Sequence, residues 1–145
     1  MDFFFDELDE VKTAENVRSF LKHDYPKICM ALGRPVSYIQ SPSMSGMPKA
    51  PSAGNAAEDR LVRAADMQMA VKWAREALRM VQTYDPDSGR LIIDCLVHKC
   101  SRDALADEMG YSRTSLQRML QKACCQYAGY LSSCSGGRLD LVAWK

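Results

Sequence analysis

Between Lys99 and Lys122 the side chains divide into two sets with different chemistry. Arg113, Thr114, Gln117, Arg118 and Gln121 are polar or basic and recur at helical spacing, with Lys122 behind them. Arg presents donors to O6 and N7 of guanine, Gln pairs with N6 and N7 of adenine, and a Thr methyl can touch the thymine methyl. Residues early in a recognition helix meet base edges first, so Arg113, Thr114 and Gln117 are the expected base readers. Arg118 suits a base or a phosphate, and Gln121 lies one turn farther along. Lys99, Arg102 and Lys122 are expected on phosphates, where they would set register without reading sequence. The second set, Leu105, Met109, Leu116, Met119 and Leu120, is apolar and points inward.

The residues between these sets are those a sharp helix-helix turn requires. Ser101 or Arg102 opens a first helix, and Asp103 suits its first turn against the helix dipole. Ala106 is small where two helices would cross. Gly110 follows four residues later, where a positive φ costs glycine nothing. Ser112 can cap the second helix by accepting from a free backbone N–H. An Ala-x-x-x-Gly spacing alone is weak, and a plain helical hairpin with a solvated Arg/Gln face competes with it. The matching apolar positions, the cap and the basic outward face together predict a helix-turn-helix over 101–123, aimed at the major groove of double-stranded DNA.

Other chemistry is poorly represented. His23 and His98 are the two histidines, and neither sits in a catalytic pattern; there is no phosphate-cradling glycine loop and no HExxH. The six cysteines, Cys29, Cys95, Cys100, Cys124, Cys125 and Cys134, contain no CxxC pair. Cys95, His98 and Cys100 lack the two-plus-two spacing of a zinc site, so reduced thiols are expected. Met44, Met47, Met67, Met69 and Met80 read as adaptable packing. No catalytic residue, metal site or cofactor is expected.

The elements that must position the motif form an all-α chain: an N-terminal helical segment, a Pro/Ser/Gly-rich loop, a long helix and the C-terminal helix-turn-helix. Residues 1–33 form the N-terminal segment. Val11, Ala14, Val17, Phe20 and Leu21 share one helical face, Asp24-Tyr25-Pro26 interrupts, and a short second helix runs from Lys27 to a stop at Gly33. Residues 34–55 are loop, with four prolines and two glycines. Residues 56–135 form the helical DNA-binding domain. Its long helix carries a stripe of Leu61, Ala65, Met69, Trp73, Ala77 and Met80, ends at Tyr84–Gly89, and is followed by a short helix from Arg90 to Lys99 that buries Leu91, Ile92, Cys95 and Leu96. Residues 136–145 are a C-terminal tail. A stripe of that length in a 145-residue chain predicts pairing with a second copy.

Net charge is only +1. Its distribution is uneven: residues 1–33 carry seven acids against four bases, and residues 99–145 carry seven bases against four acids. That asymmetry fits a C-terminal end facing phosphate. No apolar run approaches the roughly 20 residues that span a bilayer, and the start, Met1-Asp2-Phe3-Phe4-Phe5-Asp6, is acidic where a secretion signal is basic. A cytoplasmic protein without a membrane partner is expected.

The chain resembles the ArpU-type regulators, phage activators of late genes for packaging, morphogenesis and lysis. Leu8-Asp9 with Lys12-Thr13, Asn16-Val17 and Phe20-Leu21 matches an N-terminal stretch of that family. So do Ser41-Pro42 through Met47-Pro48-Lys49 to Gly54-Asn55 and Glu58, and then Gly110-Tyr111-Ser112-Arg113-Thr114. The last segment is similar to the part of sigma factors that reads the −35 element. The resemblance implies binding near a late promoter of a phage or prophage together with host RNA polymerase. The tail and Trp144 lie outside it. Two other readings use the same residues: a packaging-site recognition protein like a small terminase subunit, and a polymerase-binding adaptor whose helix-turn-helix is degenerate.

Overall fold

The structure, a computed structural model, describes residues 8–35, 37, 39 and 55–145, apart from the side chains of 55–62 and 64. The Ser41–Gly54 string, Met44, Met47 and the side chain of Leu61 therefore lie outside the described residues. What is described is all helical: α1 (Glu10–Ser19), α2 (Tyr25–Ala31), α3 (Asn55–Tyr84), α4 (Pro86–Ile92), α5 (Arg102–Met109) and α6 (Arg113–Cys134). The one β feature among these residues is an isolated antiparallel bridge from Leu8 to Trp144. No helix among them is long and apolar enough to cross a membrane.

Asp9 caps α1 by accepting from the Lys12 amide at 3.0 Å. Ala14, Val17, Phe20 and Leu21 are buried as expected, whereas Val11 is 59% exposed. Asp24-Tyr25-Pro26 does not interrupt. A π-helical turn, Phe20–Asp24, carries the backbone straight from α1 into α2. Proline lacks an amide and its ring crowds the preceding turn; the wider turn accommodates it. The same turn keeps Val17, Leu21, Tyr25 and Cys29, each four residues apart, buried together. In a regular α-helix each four-residue step drifts by roughly 40°. Gly33 ends α2 as expected, at φ +68°, with the Arg34 amide reaching back to the Cys29 carbonyl at 2.8 Å.

α3 shows the drift uncorrected. The expected row Ala65, Met69, Trp73, Ala77 and Met80 includes one buried residue, Ala77; Ala65 and Met69 are exposed, Trp73 and Met80 half-buried. The core face is Ala70, Val71, Ala74, Ala77, Leu78 and Val81, a band in which residues three and four apart recur together. Over 30 residues the helix spans about 45 Å.

The turn at Tyr84 falls where expected, but the next helix starts earlier, at Pro86 instead of Arg90. Asp85 caps it, accepting from the Ser88 amide at 3.4 Å and hydroxyl at 2.9 Å. Gly89, expected to help end α3, lies inside α4. A Cβ there would sit 2.7 Å from Gln82 Cγ and 3.0 Å from Gln82 Cα, so its absence lets α4 fold back onto α3. Leu91, Ile92, Cys95 and Leu96 are buried, as expected, the last two on a second π-helical turn, Ile93–Val97.

α6 runs through the middle. Leu116, Leu120, Ala123, Cys124, Tyr127, Ala128 and Leu131 are buried, and the helix packs on α1, α3, α4 and α5. The Tyr127 hydroxyl donates to the Ala74 carbonyl of α3 at 3.0 Å, satisfying a phenol that is otherwise fully buried. Beyond α6 the tail returns along α1. The Asp9 amide donates to the Ala143 carbonyl at 2.9 Å, the Ala143 amide to Thr13 Oγ1 at 3.0 Å, and Asn16 Nδ2 to the Leu141 carbonyl at 3.0 Å.

Candidate nucleic-acid interface

Ser101 opens α5, its hydroxyl accepting from the Ala104 amide at 3.4 Å. The helix is eight residues long and buries Leu105 and Ala106 against α6. Gly110 then adopts φ +77°, the left-handed conformation that L side chains resist. The Tyr111 amide reaches back to the Ala106 carbonyl at 2.9 Å and closes the α5 terminus. Ser112 is extended and caps α6, accepting from the Ser115 amide at 3.2 Å while its hydroxyl donates to Ser115 Oγ. First helix, left-handed glycine and the cap of the second helix lie within twelve residues, Ser101 to Ser112.

On α6, Arg113, Thr114, Gln117 and Arg118 are all exposed. At about 100° per residue they span an arc of roughly 140° around the helix, adjoining the buried row of Leu116 and Leu120. Gln121 is half-buried, and its Nε2 donates to the Glu10 carboxylate of α1 at 3.4 Å. Lys122 turns roughly 140° away from Gln117. It borders a groove shared with Leu8, Cys125, Gly129 and Trp144. Arg102 is half-buried at the start of α5, and Lys99 is exposed in the preceding loop at φ +55°. The structure thus gathers four expected contacts on one face, leaves Gln121 at its margin, and places Lys122 elsewhere.

Three ion pairs are found among the described residues, one of them on this face. Arg113 Nε lies 3.5 Å from Asp103 Oδ1 across the turn. Arg90 of α4 bridges Asp94 at 3.3 Å and Glu108 of α5 at 2.6 Å, tying the motif to the core. Neither Asp103 nor Glu10 was expected to touch a candidate DNA-contacting residue. The Asp103 contact depends on how the turn folds, and the Glu10 contact spans 111 positions. The Ser88 hydroxyl, helped by Gln126 and Lys122, holds the Asp85 carboxyl below its usual range. Burial pushes the Cys124 thiol up to about 12 and Cys125 up to about 11, with Glu10 adding to the second.

Over 128 residues the chain is 32% identical to the autolysin regulatory protein ArpU of Enterococcus hirae, an alignment covering 84% of this chain and 88% of that protein. The chain belongs to the ArpU family. No family model matches it, and no solved structure does. Among the described residues of this ArpU-family chain, no group of His, Cys, Asp and Glu side chains is arranged to hold a metal ion. The six cysteines are free thiols.

Proposed function

We propose that this ArpU-family chain is a DNA-binding transcription regulator, not an enzyme, that lays the first turns of α6 in the major groove. One observation carries this reading. α5, the left-handed Gly110 and the Ser112 cap present Arg113, Thr114, Gln117 and Arg118 together on an uncovered face. The first two turns of α6 can enter a groove, because Arg113, Thr114, Gln117 and Arg118 are exposed there and, among the described residues, the hydrogen bonds from α6 to α1 begin at Gln121. Arg102 and Lys99 flank the motif as phosphate contacts.

The relative named for regulation of an autolysin supports control of gene expression. Lysis genes are late genes of a phage, so we assign the chain to activation of phage or prophage late genes with host RNA polymerase, in the bacterial cytoplasm. A second copy pairing along the outer side of α3 would present two recognition helices to half-sites one DNA turn apart, or a multiple of it.

The test is binding of the full chain to a labelled fragment from the late-operon control region of its own phage or prophage, against a scrambled fragment. Arg113→Ala and Gln117→Ala should each cost about 1–3 kcal/mol of specific binding and leave non-specific binding largely intact. Equal binding to both fragments would remove the promoter assignment. Preference for a packaging site would favour a terminase-like role. Capture of polymerase without DNA binding would make the chain an adaptor.

A further inference from the structure

The contact between Arg113 and Asp103 links the first residue of α6 to the second residue of α5. The acid approaches Nε of the guanidinium, at 3.5 Å, and so comes from the side of the group, away from the end-on edge formed by its two terminal nitrogens. Both side chains remain open to a ligand, at 74% and 68% exposure. Two consequences follow from this arrangement. An arginine held at Nε keeps the end-on pair of donors that fits O6 and N7 of guanine. A carboxylate a few ångströms away also cancels much of its attraction for an anion, since the pair together carries no net charge. Hydrogen bonding to an uncharged base edge has no such penalty.

We propose that Asp103 is a specificity-determining residue: it holds Arg113 as a guanine reader and withholds it from the phosphate backbone. This rests on the DNA-binding reading above. It assigns the acid in α5 a role distinct from that of the helix-dipole carboxylate. Arg118 serves as the internal contrast, because among the described residues no carboxylate forms an ion pair with it.

The experiment uses the full chain and two DNA probes: a randomised duplex pool for binding-site selection, and one duplex of arbitrary sequence titrated at several salt concentrations. Wild type, Arg113→Ala, Asp103→Asn, Asp103→Ala and the double variant Arg113→Ala/Asp103→Ala are compared, each first checked by its melting curve. Arg113→Ala should lose one guanine from the selected site, a drop in preference of about fivefold or more. Asp103→Ala and Asp103→Asn should weaken preference for that same guanine by about twofold to fivefold, as fits an exposed ion pair. Both should bind the arbitrary duplex more tightly, with a salt dependence steeper by about 0.9 in slope, the signature of one added phosphate contact. That steepening should vanish in the double variant.

Unchanged guanine preference in the Asp103 variants, while Arg113→Ala loses it, would overturn the inference and leave the DNA-binding reading standing. So would an equal steepening with and without Arg113, since the acid would then act on phosphate directly. A wild-type chain that enriches no sequence and ignores the arbitrary duplex would remove both.

Discussion

Two glycines in this fold are required for opposite reasons. Gly110 has open space around its missing Cβ but a φ of +77°, so a side chain there strains only the backbone. Gly89 has an ordinary helical backbone but no space, with Gln82 as the obstacle. Gly89→Ala should therefore destabilise the protein by about 1–3 kcal/mol through overpacking, despite alanine's better helix propensity. Chemical denaturation measures it. Adding Gln82→Ala should recover part of the loss by removing Cγ, and no recovery would mean that the backbone contact at Cα dominates.

The buried thiols and phenols set a second expectation. Burial raises Cys29, Cys95, Cys124, Cys125 and Cys134, and likewise Tyr25 and Tyr127. In the unfolded chain the thiols ionise near their ordinary value of 9.0, while the folded chain keeps Cys124 protonated to about 12. Above pH 9 the unfolded state thus sheds protons that the native state retains, and stability falls as pH rises. Urea midpoints should hold between pH 7 and 8.5 and decline steadily from pH 9 upward. A flat alkaline profile would mean that these groups are solvated in the native chain.

At the level of elements, the helix-turn-helix was legible because each of its parts is a local requirement: cap, small residue, left-handed glycine, second cap. All of them lie within a dozen residues. The helical order and the stop at Gly33 were legible on similar grounds. The π-helical turns were not, since one residue inserted into a hydrogen-bond ladder leaves no mark in composition. They explain two errors of opposite kind. In α1 and α2 a four-residue row stays buried because such a turn corrects its drift, and Pro26 passes without a break. In α3 no such turn intervenes, so a row spaced by four winds out of the core. Of that row, Ala65 and Met69 face outward. Pairing of α3 with a second copy then predicts dimers in sedimentation at micromolar concentration, and Met69→Glu should shift them toward monomer. A single species of 16.3 kDa in the wild type would remove the dimer.

Considered whole, the molecule has no boundary between the part that would read DNA and the part that forms its core. α6 is one uninterrupted helix of 22 residues. Its first turns carry the outward face, and its later turns hold Tyr127 against α3 and lie under α1, which the tail clasps through Thr13 and Asn16. The ordering entropy of α6 is therefore spent during folding, before any ligand arrives. Association with DNA, on the reading proposed above, would be rigid docking, with a heat-capacity change no larger than the contact surface itself produces. A destabilising change deep in the core, far from any base, would lower the amount of competent protein without altering which sequence that protein prefers.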